Sequence, residues 1–240
     1  RPRWVRGPAA LVLLALPLVP AVLGAQEAAP GPAARVQVVG SAAGQRLQVA
    51  GQDFMVLGMN WDYIPIGQNY MFELWKQPDA VIEAALEREM PLLRNMGVNT
   101  IRLYVGIPAR WVRYIYEHYG IYTILNHPMA RYGYTLDGVW IPSVDYSDAK
   151  LRAALQAELV ALVDEFRGVP GVLLWLLGNE NNYGLSWSSF EIEALPEGER
   201  DAARARHLYS LFGEVIRAVK EHDPGVTVAM ANGDVQYIDI

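Results

Sequence analysis

The chain has 240 residues, 52% hydrophobic and 19% charged, with a formal net charge of −6; this balance supports a large core, excludes a disordered polymer and offers no basic surface for a nucleic-acid backbone. It contains no cysteine, which excludes a disulfide scaffold, a thiolate metal centre, a cysteine nucleophile and a cysteine-linked lipid anchor. Its aromatic residues are weighted toward 7 Trp and 13 Tyr against 5 Phe, side chains that pair a flat apolar face with a hydrogen-bonding tip.

The chain begins with Arg1, Arg3 and Arg6 ahead of an apolar run over 9–23, then small Gly24 and Ala25 and a polar, proline-rich stretch over 26–34. A basic start, an apolar middle and a small-residue cleavage site describe a signal peptide over 1–25, followed by a linker over 26–35. An uncleaved N-terminal anchor is the competing reading. Pro17 and Pro20 interrupt the run, which falls short of the roughly 20 residues a bilayer span needs. Export of a cysteine-free chain points to a secreted or periplasmic protein of bacterial type, with no stable membrane insertion after cleavage.

The domain over 36–240 opens with a predicted hairpin (36–50) whose strands cover 36–39 and 46–49. Short apolar runs predict strands over 54–59, 100–105, 121–125, 172–177 and 226–231, with a further strand starting within 235–239. Between them, apolar residues at helical spacing predict helices over 79–96, 109–119, 147–166 and 200–221. Gly97, Gly120 and Gly168 close the first three, and Asp223, Pro224 and Gly225 close the last. Pro91 is expected to kink the first helix or to start its last turn.

Strands separated by helices predict βαβ units and a parallel α/β sheet, with strands apolar on both faces because both are covered. A (β/α)₈ TIM barrel and an open doubly wound sheet both satisfy this pattern. The first strand-to-helix turn reads Gly58-Met59-Asn60-Trp61-Asp62-Tyr63, without the spaced glycines that admit a pyrophosphate.

The polar residues gather where the strands stop. They are Asn60, Trp61, Asp62 and Tyr63; Arg102 and Tyr104; Asn126 and His127; Asn179, Glu180, Asn181, Asn182 and Tyr183; and Asn232 and Asp234. In a parallel sheet these ends share one rim, where active sites form. A serine elbow is absent, and His118, His127, His207 and His222 are widely spaced, so neither an acyl-transfer site nor a metal is expected, and no cofactor. One Glu among amides, aromatics, an Arg and a His can grip hydroxyls and protonate an oxygen.

At this point the sequence resembles a known family. Leu57-Gly58-Met59-Asn60, the block Met96-Gly97-Val98-Asn99-Thr100-Ile101-Arg102-Leu103-Tyr104 and the strand end Trp175-Leu176-Leu177-Gly178-Asn179-Glu180 are similar to the retaining glycoside hydrolases of clan A. The likeness is to family two (β-galactosidase and β-glucuronidase relatives) and to families five and seventy-two, and it runs from about residue 36 to the end. It implies a TIM barrel and a carbohydrate substrate. It makes Glu180 the general acid/base, Asn179 a contact to the sugar 2-hydroxyl and Arg102 the group that orients the nucleophilic carboxylate. It places His127 where a strand end often lines the sugar site. Asn60, Trp61, Tyr104 and Tyr183 are further candidate substrate contacts, with Trp187 as another stacking face; the family pattern does not fix these.

Each assignment has a structural competitor. Glu180 can be a structural or solvated carboxylate, Asn179 a cap, Arg102 half of a core ion pair and His127 a turn residue before Pro128. Trp61 and Tyr104 divide evenly between packing and substrate. Asp62 and Asp239 read as solvated loop residues. The long loops over 64–76 and 129–146 carry Trp75, Tyr132, Tyr134 and Trp140, which are equally subsite platforms or loop anchors.

In the family the nucleophile follows the seventh strand, and this chain reaches five or six. The expectation is therefore an incomplete barrel, a piece of a longer protein whose nucleophile lies beyond residue 240 and which is inactive alone. The expected parent activity is hydrolysis of β-O-glycosidic bonds by retaining double displacement. A glucanosyltransferase-type transglycosylase and a non-catalytic carbohydrate-binding protein are the alternatives.

Overall fold

The computed structural model describes residues 35–42 and 44–239; the signal peptide over 1–25 and most of the linker lie outside them. The chain opens with the antiparallel strands β1 (Val36–Ser41), β2 (Gly44–Val49) and β3 (Gln52–Asp53). The central sheet contains β4 (Gly58–Asn60), β5 (Thr100–Tyr104), β6 (Tyr122–His127), β9 (Val172–Leu177) and β10 (Val228–Met230), in the order β10-β9-β6-β5-β4. All four pairings are parallel. Two small strands, β7 (Tyr134–Leu136) and β8 (Val139–Ile141), form a hairpin inside the predicted 129–146 loop.

The predicted helices appear as α1 (Asp79–Asn95), α2 (Ala109–Tyr119), α3 (Ala149–Glu165) and α5 (Glu197–His222), with a short α4 (Phe190–Glu193) before the last. Helix α1 runs through Pro91 without a break in its assignment. Gly120 ends α2 at φ 64°, the left-handed conformation that glycine adopts without a Cβ penalty. Asp148 starts α3 by accepting a bond from the Leu151 N–H at 2.7 Å. Helix α5 begins three residues earlier than predicted, after Pro196, with Glu197 and Glu199 in a first turn that favours negative charge.

The strands differ between their two faces. Along β9, Leu173, Trp175 and Leu177 are buried and Val172, Leu174 and Leu176 half-buried. Along β5, Ile101 and Leu103 are buried whereas Arg102 is partly and Tyr104 largely open. The buried face packs on Ile82, Leu86 and Met90 of α1, Val112 and Ile115 of α2, Leu155 and Leu159 of α3, and Leu208, Leu211 and Val215 of α5. So the helices cover one face, not the two that uniformly apolar strands suggest. The expected strand within 235–239 is a turn, and five parallel strands are present among the described residues. The segment lacks a run of alternating buried positions: Val235 and Ile238 are 78% and 57% exposed. No helix among the described residues is long and apolar enough to cross a membrane.

Candidate active site

Register decides which strand-end side chains meet. Arg102 pairs with Ile124, Tyr104 with Asn126, and Asn126 with Leu176. Because side chains alternate across a strand, Arg102, Tyr104 and Asn126 share the open face. There the Arg102 Nε donates to Asn126 Oδ1 at 2.7 Å, and its Nη2 donates to the same oxygen and to Asn179 Oδ1, the latter at 2.7 Å. The Asn126 amide is oriented by its Nδ2, which donates to the carbonyls of Leu176 at 3.0 Å and Gly178 at 2.8 Å. Asn179 in turn donates from Nδ2 to the Tyr132 hydroxyl at 2.6 Å. Among the described residues Arg102 has no carboxylate partner, so its bonds are spent on amide oxygens and its charge is not neutralised.

Glu180 follows in a backbone turn that the sequence holds on every side. Gly178 sits at φ 77°, and a Cβ there would come within 2.7 Å of Asn181 Oδ1 and 2.9 Å of the Phe212 ring. Glu180 itself is left-handed at φ 58°, a conformation that costs a non-glycine residue about 1–2 kcal/mol. Its N–H donates to the Ala231 carbonyl at 2.8 Å, and its own carbonyl accepts from Tyr183 N–H at 2.9 Å. Buried Asn181 accepts from Asn179 N–H at 2.7 Å and donates to Met129 O and the Tyr146 hydroxyl, both at 2.9 Å. Buried Asn182 donates to Asp234 O at 2.9 Å and accepts from Gly233 N–H at 2.8 Å. Gly233 lies so close that a Cβ on it would approach the Cβ atoms of both Glu180 and Tyr183 to 2.9 Å. The Glu180 side chain is left exposed at the rim.

A cavity of about 300 Å³ lies beside this turn, lined by Asn60, Trp61, Asp62, Arg102, Tyr104 and Asn179. The Arg102 guanidinium carbon lies 5.7 Å from the Tyr104 ring centroid. Burial, with the Tyr132 hydroxyl bonded beside it, pushes the Tyr104 phenol up to about 12, and the Glu180 charge adds to the rise. The phenol therefore stays protonated and able to donate across the neutral range.

The structure thus gathers Asn60, Trp61, Arg102, Tyr104 and Asn179 around one cavity, with Glu180 the next residue along the chain. Trp61 is 7% exposed and leans on Trp75 and Tyr63, so its role is divided between packing and the cavity wall. Tyr183 is exposed, with its Cβ beside Gly233, and does not line this cavity.

His127 is placed differently from the expectation. One residue beyond Asn126, it falls on the helix-facing side, 3% exposed. Its Nδ1 accepts from Met129 N–H at 3.2 Å, which leaves Nε2 to face Glu158 Oε1 of α3 at 3.4 Å. Glu158 also accepts from the Tyr134 hydroxyl at 2.9 Å, and its carboxyl is held below its ordinary 4.5, mainly by the His127 bond.

Asn126, expected only as one of the rim residues, and Tyr132, expected equally as a subsite platform or a loop anchor, both bond into the Arg102–Asn179 network. The parallel register that pairs Tyr104 with Asn126 is what sets Asn126 on the face of Arg102. The loop between β6 and the β7–β8 hairpin carries Tyr132 to Asn179. Asn181 and Asn182, read only as rim residues, are the clamps of the Glu180 turn. No group of three or more potential metal ligands occurs among the described residues.

No family model matches the chain. Over 133 residues it is 32% identical to the 1,3-beta-glucanosyltransferase gel2 of Aspergillus fumigatus, a match covering 54% of this chain and 26% of that protein. In structure it is similar to the beta-glucuronidase of Parabacteroides merdae, with a TM-score of 0.53 at 16% identity over 81% of this chain and 20% of that one. It is also similar to a calcium-binding mutant of Bacteroides uniformis beta-glucuronidase 2, with a TM-score of 0.54, also at 16% identity over 81% and 20%. At this identity the structural likeness shows a shared fold. The chain spans about a quarter of the curated relative's length and a fifth of the solved proteins'.

Proposed function

We propose that this chain carries the acid/base half of an enzyme that processes β-glycosidic bonds, with Glu180 as the general acid/base. One observation carries the reading: an unneutralised Arg102 guanidinium binds the amide oxygens of Asn126 and Asn179 at a strand-end cavity, immediately before a strained turn that presents Glu180. Asn179 and Tyr104 supply hydrogen bonds for sugar hydroxyls. Arg102 supplies a positive charge for the carboxylate that attacks the anomeric carbon. In double displacement Glu180 first gives its proton to the departing oxygen, then takes one from the incoming hydroxyl. The second carboxyl group belongs about 5–5.5 Å away; the family resemblance puts it on a later strand of a complete barrel, outside this chain.

Transfer of the glycosyl group to a carbohydrate hydroxyl, rather than to water, is a second reading, favoured by the 32% identity to a glucanosyltransferase. Export through a signal peptide over 1–25 accompanies either reading.

The acid role is tested with aryl β-glycosides of graded leaving-group acidity, using the protein that contains this chain. Glu180→Gln is expected to slow poor leaving groups by about 10²–10⁴-fold and activated ones far less. Equal loss on both would refute Glu180 as proton donor. Product analysis with added acceptor sugars separates the two readings, as chain lengthening with no net gain of reducing ends marks transfer and a net gain of reducing ends marks hydrolysis.

A further inference from the structure

A smaller cavity, of about 160 Å³, lies against the Asn181 clamp and shares no lining residue with the Asn179 cavity. The polar side chains on its wall are Arg131, Ser143, Tyr146, Asn181 and Ser186, together with the indole of Trp187; no carboxylate lines it among the described residues.

Two of these groups are already spent on each other. Asn181 Nδ2 donates to the Tyr146 hydroxyl, and that hydroxyl donates to the Met129 carbonyl at 2.9 Å. What remains is a set of donors. The half-buried Arg131 guanidinium has no hydrogen-bond or ion-pair partner among the described residues. Trp187, expected as a stacking face, is instead 4% exposed and packed edge-on against Tyr146 at 5.4 Å. Its Nε1–H is buried without an acceptor, an arrangement that native proteins rarely leave unanswered. The backbone that presents Arg131 is also held out of its ordinary range. Met129 and Ala130 are both left-handed, at φ 50° and 58°. The turn persists because Asn181 and Tyr146 both bond the Met129 carbonyl, and strain enforced in this way gathers at ligand clamps.

The wall chooses among ligands. An apolar group leaves the guanidinium and the indole N–H unanswered, and a cation is repelled. Water answers the indole but not the charge. A sugar ring needs acceptors as well as donors, and a larger space than this. A compact group that only accepts, and that carries negative charge, meets both donors.

We propose that this cavity binds one small oxyanion, of the size of inorganic phosphate, between the Arg131 guanidinium and the Trp187 N–H, and that the bound anion braces the Asn181 clamp behind Glu180. This site stands independently of the carbohydrate reading above.

The test titrates the protein containing this chain with inorganic phosphate at pH 7, at an ionic strength held constant with sodium chloride, and follows calorimetry, tryptophan fluorescence and hydrogen exchange. The wild type is expected to bind one phosphate with a Kd of about 1 mM or tighter. Amide exchange over 129–131 and 179–187 should slow as the site fills. Arg131→Gln should weaken binding at least tenfold, and Arg131→Lys should retain part of it. Trp187→Phe keeps a ring but removes the N–H, and should weaken binding about tenfold. If Trp187→Phe fails to fold, as judged by its thermal transition, the half-buried Arg131 variants still decide. No saturable binding, wild-type affinity in Arg131→Gln or in a folded Trp187→Phe, or an equal response to glycerol overturns the anion site. Binding that leaves exchange over 179–187 unchanged overturns the bracing of the clamp.

Discussion

The two sides of the strand-end rim are built differently. On the β6–β9–β10 side, position is fixed by directed bonds: Asn126, Asn181 and Asn182 tie strand ends and loops to main-chain groups, and two glycines admit no Cβ. On the β4 side, the segment over 61–76 is held by rings against rings, at centroid separations of 6.1–6.5 Å and tilted or edge-on angles. Directed bonds hold an atom to a fraction of an ångström, as proton transfer requires. Ring packing tolerates sliding and suits recognition of a flat ligand face.

This contrast predicts unequal responses to substitution. The largest is Gly178→Ala, which combines a left-handed backbone at φ 77° with contacts of 2.7 and 2.9 Å and is expected to cost about 3 kcal/mol or more in denaturant unfolding. A loss under 1 kcal/mol would show that the turn gives way easily. On the ring-packed side, Phe72→Leu is expected to cost about 1 kcal/mol, since its neighbours can close on the change; a loss matching that of Gly178→Ala would erase the distinction.

The smallest effect is electrostatic. Glu158 is held below its ordinary 4.5 by His127, so its contribution is present above that value and fades as the pH falls through the lowered one. Its side chain is 40% exposed, and solvent screening reduces the contribution to about 0.5 kcal/mol. Glu158→Gln should flatten this acid limb of the stability curve. An unchanged limb would remove the His127–Glu158 contact from the account.

Much of the fold was legible because local and tertiary signals agree. Helix α2 lies at its predicted bounds because Gly120 stops it, and β9 because Val172–Leu177 is a short apolar run before a glycine. The turn at 235–239 was misread because apolar residues alone do not supply a neighbouring strand. Within the site, Arg102, Asn179 and Glu180 were legible from their motifs. Asn126 and His127 stand together at one strand end and the family resemblance points to His127, but period-two alternation sends the two to opposite faces and leaves Asn126 beside Arg102. For Tyr132 the choice between subsite platform and loop anchor stays open in the sequence, because only tertiary structure brings it to Asn179.

The central claim is that Glu180 acts as the acid/base of a retaining reaction, and rescue of Glu180→Ala by azide tests it most directly. With an activated aryl β-glycoside, the protein containing this chain should form its glycosyl-enzyme without the acid. Azide entering the space left by the carboxylate should then restore turnover and yield a β-configured glycosyl azide. Absence of rescue, or an α-configured product, would contradict the account.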